Sequence, residues 1–402
     1  MGTVLDADIT ERVSAHIDTD RLVRLVREVC RIPSVLGDEG PLAAYLADVM
    51  RESGFAGVEL QPVLPDRPNA IGHLDLGDGE PGRTVVLTGH MDTKPVSHGW
   101  TRTDPFSGEV IDGAVYGHGI MDMKAALVCQ IVAAEAVRAA GLAVRGRVAI
   151  AAVSDHMGDQ LGSIEYFKSH SADLCVLGEL SDNEIFLGHR GRYYFDIIVR
   201  GVSAHTCHKP LAVNANMLAA HAIIELDRSR LTPVLEDWVV QLFGPETYMA
   251  PGRVYGGLPP GGPSMIPDEC VIRVDCRPQP GVTTDQVRAE IEECLARAKA
   301  NEPRFEAEVV LADVKSGYLA GPDDEVTGLM RRALGSVRGE EPELQAAGWL
   351  GDTASFGADV PTIIFGPGGE PVYCPDEHLS IEDIVEATRV YATFTALALA
   401  DR

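Results

Sequence analysis

Val85-Val86-Leu87-Thr88-Gly89-His90-Met91-Asp92-Thr93 decides the reading of this chain, together with Gly117-His118-Gly119-Ile120-Met121-Asp122-Met123-Lys124 further on. An apolar, β-branched run that ends in His-x-Asp is a buried strand delivering two polar side chains at its C-terminal end. Side chains alternate along a strand, so His90 and Asp92 share a face. A histidine with a carboxylate beside it suits a metal ligand whose tautomer is fixed by an outer partner. Asp122 then opens an apolar helical stretch, Ala125 to Ala140, and sets another carboxylate at a strand-to-helix junction.

Outward from these segments the chain alternates helices and strands. Helices are predicted at Asp20–Arg31, Gly40–Ser53 and Leu161–His170, and strands at Val58–Val63, Ala70–Leu74, Thr84–Gly89, Arg147–Val153, Leu174–Gly178 and Ile185–Gly188. This alternation predicts an α/β domain, a mixed sheet with helices on both faces. From about Arg190 the pattern changes. Strands at Tyr193–Gly201, Glu269–Arg277 and Arg304–Leu311, with helices at Asn214–Arg228 and Thr284–Lys299, describe a smaller α+β module. The chain then returns to helix (Asp324–Arg338), strand (Thr362–Gly366) and helix (Ile381–Ala400). The expected division is a catalytic domain of residues 1–190 and 312–402, interrupted by an inserted domain of residues 191–311.

Composition narrows the class of partner. With 34 Lys and Arg against 60 Asp and Glu, the formal net charge is −26, which disfavours nucleic acid and anionic membranes. No apolar run reaches about 18 residues, so no membrane span is expected. No secretory segment is visible at the N-terminus. The cysteines lack paired short spacings and are expected as packed, reduced thiols of a cytoplasmic protein.

Further motifs follow in order: Gly178-Glu179, Gly188-His189-Arg190-Gly191, Ala204-His205 and Pro375-Asp376-Glu377. With the two opening segments, they make the chain resemble the metallo-exopeptidases of the aminoacylase, glutamate carboxypeptidase and succinyl-diaminopimelate desuccinylase family. The resemblance runs from about residue 20 to the C-terminus. It implies a metal held by His90, Asp122 and Glu179, a set suited to zinc, with manganese or cobalt as alternatives. It implies a small amino-acid-like substrate and a homodimer formed through the inserted lid domain. His205 would donate a hydrogen bond to the reacting carbonyl, and Arg277, Ser264 and Asn214 would contact substrate. Arg277 could equally serve an ion pair with Asp275.

The resemblance breaks where water is activated. Family members carry Asp-Glu-Glu where this chain has Asp155-His156-Met157, so His156 replaces the general base and Met157 a ligand. Counting back from Glu377 puts Tyr373 in place of a ligating histidine. One divalent metal is therefore expected, with a second weak or absent. Three functions stay open. His156 could act as base in single-metal hydrolysis; the metal could polarise a carbonyl for amide formation, cyclisation, acyl transfer or elimination, with His156 and Tyr373 as acid–base groups beside Asp92; or the protein could be a silent binder. Loss of the water-activating residues favours the second, non-hydrolytic use.

Overall fold

The computed structural model describes residues 4–77, 82–257, 264–357 and 359–400. Pro263 of the Pro263–Pro267 segment lies outside them. The chain divides into two compact units, one of residues 1–188, 320–346 and 351–402, the other of residues 189–319 and 347–350.

The first unit is built on a mixed sheet whose strands run in the order Ala56–Leu64, Arg67–Leu76, Gly146–Val153, Arg83–His90, Leu174–Leu177, Thr362–Ile364 and Ile185–His189. Arg83–His90 lies at its centre, parallel to Gly146–Val153 on one side and to Leu174–Leu177 on the other. Strands covered on both faces need apolar side chains in both directions, which is why Val85, Val86 and Leu87 are consecutive and all fully buried. On one face Val86, Ala149, Ala151 and Cys175 form a cluster with Tyr166, from the helix Leu161–Ser169. On the other lies the helix Ala125–Ala139, buried around almost its whole circumference, with Ile381–Leu399 packed against it. Gly89 permits this approach, because a Cβ there would meet the Met123 side chain. Helices and a mixed sheet were legible in the sequence, nearly to the residue. The N-terminal helix Val4–Ser14 was not.

The second unit carries a four-stranded antiparallel sheet, in the order Tyr248–Gly256, Glu269–Arg277, Arg192–Arg200 and Glu306–Lys315. Arg192–Arg200 and Glu269–Arg277 alternate strictly in burial. Their inward residues Phe195, Ile197, Val199, Ile272 and Val274 pack with residues of the helices Ala215–Asp227 and Thr284–Asn301. Thr283 and Gln286 form a capping box at the start of the second helix. The strand Tyr248–Gly256 escaped prediction because Pro251 and Gly252 interrupt it and it is largely exposed. All eight cysteines are free. Among the described residues no helix is long and apolar enough to cross a membrane.

Candidate metal centre

Three neighbouring parallel strands end side by side, and each brings one polar residue of the site to its end or just past it. His90 closes Arg83–His90, His156 lies three residues past Gly146–Val153, and Glu179 lies two past Leu174–Leu177. The carboxyl ends of parallel strands are where open α/β sheets gather ligand-binding groups. The sequence therefore needs no long-range coincidence to bring these residues together; the register of three strands does it.

The donor atoms of His90, His156 and Glu179 all lie within 4.8 Å of one another. His90 is fully buried. Its Nδ1 donates to the backbone carbonyl of Asp92 at 2.8 Å, which turns Nε2 towards Asp122 Oδ1 at 2.9 Å and Glu179 Oε1 at 3.6 Å. The His156 ring stacks on His90 with centroids 4.2 Å apart. Its Nε2 is 3.7 Å from Glu179 Oε1, and its Nδ1 donates to Asp352 Oδ1 at 2.8 Å.

The electrostatics describe a site short of positive charge. Burial pushes the Glu179 carboxyl up to about 7, with Asp122 and Asp352 adding to the effect and His90 and His156 opposing it. Burial opposes charge on His90, but Glu179 and Asp122 outweigh it and hold the imidazole well above its ordinary value. Burial would likewise raise Asp122, yet the facing His90 holds it down to about 2. For His156, burial and the neighbouring His90 are outweighed by Asp352 and Glu179, and its value rises.

A divalent cation fits this arrangement. Glu179 Oε1 is buried and has no hydrogen-bond partner, a costly state unless something else compensates it. Two donors on one tetrahedral zinc stand about 3.4 Å apart. Glu179 Oε1 lies 3.6 Å and 3.7 Å from the two imidazole nitrogens, slightly wider than that and too far for hydrogen bonds. Both imidazoles carry their proton at Nδ1 when neutral, leaving Nε2 free to ligate.

Several expected residues take different places. His156, expected as a base, belongs to the close donor group, and Asp122, expected as a ligand, has Oδ1 2.9 Å from His90 Nε2, beside that group. The Asp92 carboxylate was expected to orient His90. Its backbone carbonyl does so instead, and the carboxylate accepts the backbone N–H groups of His156 and Met157 at 3.0 and 2.8 Å. Side-chain alternation sets the two side chains on one face but does not govern the carbonyl that follows the strand end. Asp92 thus pins the loop that carries His156. Asp155 assists, adopting φ 69° and accepting from Arg67 Nη2 at 2.8 Å. Tyr373 donates its hydroxyl to the backbone carbonyl of Asp122 at 3.2 Å. Burial, with Asp122, Glu179 and Glu377 nearby, raises its ionisation far beyond the ordinary range, so it remains a neutral phenol. Glu377 accepts from Gly119 N and Met121 N, both at 3.1 Å, and so shapes the turn leading into Asp122.

Four expected residues lie in the second unit. His205 is exposed, and its Nδ1 accepts from Cys207 N at 3.2 Å. Asn214 caps the helix Ala215–Asp227 by accepting from Asn216 N at 2.9 Å. Arg277 forms a two-pronged pair with Asp275 at 2.8 and 2.9 Å. Ser264 is exposed, and its carbonyl accepts from Thr206 N. Sequence reasoning missed Asp352 entirely. It lies 196 positions from its partner His156, in no motif that spacing could flag.

The sequence pattern of Peptidase family M20/M25/M40 matches residues 86–396. The succinyl-diaminopimelate desuccinylase of Methylobacterium radiotolerans is 27% identical over 393 residues, covering 94% of this chain and 96% of the relative. Among solved structures, the aminopeptidase PepT from Bacillus cereus aligns with a TM-score of 0.76 at 20% identity, over 95% of this chain and 99% of its own. Human carnosine dipeptidase 1 aligns at 0.73 with 18% identity, over 99% and 100%. With the matched pattern spanning most of its length and a mixed α/β sheet carrying the clustered histidines and glutamate, the chain belongs to Peptidase family M20/M25/M40.

Proposed function

We propose that this protein is a single-metal amidohydrolase that cleaves an amide or acyl bond of a small amino-acid-like substrate. The observation that carries the reading is the unpartnered Glu179 Oε1 facing Nε2 of both His90 and His156. His90, His156 and Glu179 would hold the ion. Two histidines and a glutamate form a ligand set used by catalytic zinc, which leaves a position open. The bound ion supplies a Lewis acid that polarises a carbonyl and makes water more acidic. Asp122 Oδ1, an ionised carboxylate oxygen 2.9 Å from His90 Nε2, would accept the proton from that water. The neutral Tyr373 hydroxyl holds the Asp122 backbone and offers no anionic ligand for a second ion.

The preference for bond formation rested on the loss of the two-metal water-activating apparatus. A histidine in the donor set supplies an alternative to it, and the desuccinylase and dipeptidase relatives act on amides, so hydrolysis is the better-supported use. Residues 191–311 would then serve as lid and subunit contact of a homodimer, with His205 as the donor to the developing oxyanion.

Metal analysis and a substrate panel test this together. One equivalent of zinc per chain is expected, with turnover of at least one N-acyl amino acid or dipeptide. His156→Ala separates the two uses of that residue: a ligand's loss removes the metal, whereas a base's loss leaves it in place and stops only turnover. A fully metal-loaded wild type that hydrolyses no member of the panel would sink the hydrolase reading and return bond-forming chemistry to first place.

A further inference from the structure

We propose that Asp352 is the positioning residue that makes His156 a metal ligand, holding the imidazole with its proton at Nδ1 and its lone pair at Nε2 towards Glu179. The inference rests on the single-metal reading above and adds to it the group that prepares the ligand.

Asp352 is 1% exposed and precedes the short helix Thr353–Phe356. Both of its oxygens are engaged. Oδ1 accepts from His156 Nδ1 at 2.8 Å, and Oδ2 accepts the Ser163 hydroxyl at 2.8 Å. A carboxylate has only acceptors, so the imidazole must be the donor and Nδ1 must carry the proton. The neutral ring then has its lone pair at Nε2, on the edge facing Glu179. The carboxylate is itself held. Ser163 belongs to the helix Leu161–Ser169, which starts directly after the His156 loop. Gln160 Nε2 donates to the backbone carbonyl of Gly351 at 3.2 Å, and the Ser355 hydroxyl donates to Gln160 Oε1.

The loop and the Asp352 segment are thus fastened to each other through two side-chain bridges, Asp352–Ser163 and Gln160–Ser355. His156 receives its backbone support from a different carboxylate, since its N–H donates to Asp92. Asp92 fixes where the residue stands, and Asp352 fixes which nitrogen of the ring is free. A carboxylate partner also makes the ligating nitrogen more basic than a carbonyl partner would. His90 has only the Asp92 carbonyl at its Nδ1, so the two histidines of the site are prepared unequally.

Zinc affinity and the tautomer of His156 test the inference without reference to turnover. In metal-free wild type, at a pH high enough to leave the ring neutral, two-bond proton–nitrogen correlation of the histidine rings should place the His156 proton at Nδ1. Asp352→Ala should weaken zinc binding by about 10- to 100-fold, the usual effect of removing such a partner. Asp352→Asn keeps an acceptor oxygen and should lose less affinity than Asp352→Ala. Ser163→Ala, which frees only Oδ2, should lose less still. If Asp352→Ala does not fold, Asp352→Asn and Ser163→Ala carry the comparison. A neutral His156 ring with its proton at Nε2 overturns the inference, as do Asp352 variants that bind zinc like wild type while His156→Ala does not. If His156→Ala itself binds zinc like wild type, the ligand set is wrong and the single-metal reading falls with it.

Discussion

The two units use polar residues in opposite ways. In the first, His90, Asp92, Asp122, Glu179, Asp352 and Glu377 are buried at the ends of strands and in adjoining turns, and Glu179 keeps an oxygen without a partner. In the second, Asn214 and Arg277, both taken from the sequence as substrate contacts, already have local partners, and His205 is exposed. Burying charge without compensation is costly, and proteins accept it chiefly where a function needs it. The difference sets the candidate metal centre in the first unit, while Asn214, Arg277 and His205 in the second each have a local partner.

The sharpest way to break this contrast is to remove the unsatisfied group. Glu179→Ala or His90→Ala should abolish metal retention, measured by elemental analysis after gel filtration, and with it any turnover. Glu179→Ala should leave the metal-free fold intact or more stable, because it deletes a buried charge. Retention of a full equivalent by both variants would contradict the metal centre itself.

Next in size is His205. As a hydrogen-bond donor to a developing oxyanion, it should cost a hundredfold or more in kcat when changed to Ala. Metal content should be unaffected. Val234→Ala, at an almost fully exposed position of the same unit, provides the control. Equal, small effects of the two changes would remove His205 from catalysis.

A smaller effect concerns pH, and its sign is specific. In metal-free protein the Glu179 carboxyl sits at about 7, against an ordinary value of 4.5. Between those values the folded state keeps a proton that the unfolded state has lost, so stability falls as pH rises through this window. His90, also raised, adds loss in the same direction as pH climbs towards its folded value. Asp122, held near 2, acts oppositely, and only in strong acid. Melting temperatures in chelator should therefore decline from pH 5 to pH 7.5. With zinc the order should invert, because the ion replaces those protons and binds better once they are gone.

How much of this was legible in the sequence differs between the units for a physical reason. Periodicity located most helices and strands because the buried faces of strands such as Arg83–His90 and Arg192–Arg200 leave a local signature. His90 was found because it ends an apolar strand, and Glu179 because it completes a motif of the family that the chain resembles. His156 was found as a candidate base, but that its Nε2 faces Glu179 is a fact of strand order that the sequence does not carry. Asp352 leaves no local mark: its meaning arises only when the loop after Gly146–Val153 meets a segment from the other end of the chain. Asn214 shows the reverse case. A polar residue at the start of a helix has a local use that needs no substrate.

That local use gives the smallest prediction. Asn214 accepts from Asn216 N and caps Ala215–Asp227, whose residues Leu218, Ala219, Ala222 and Leu226 help form the core of the second unit. Removing a capping side chain typically costs about 1 kcal/mol, and replacing it with another good cap costs only tenths. Asn214→Ala should therefore lower the denaturant midpoint modestly, Asn214→Asp should restore most of it, and zinc affinity should stay at the wild-type value in both. A pure cap leaves KM unchanged when Asp replaces Asn, whereas a substrate contact does not, because the new carboxylate presents a charge in place of an amide. A raised KM in Asn214→Asp with an unchanged midpoint would move Asn214 from the scaffold to the substrate site, and the contrast between the two units would have to be redrawn around it.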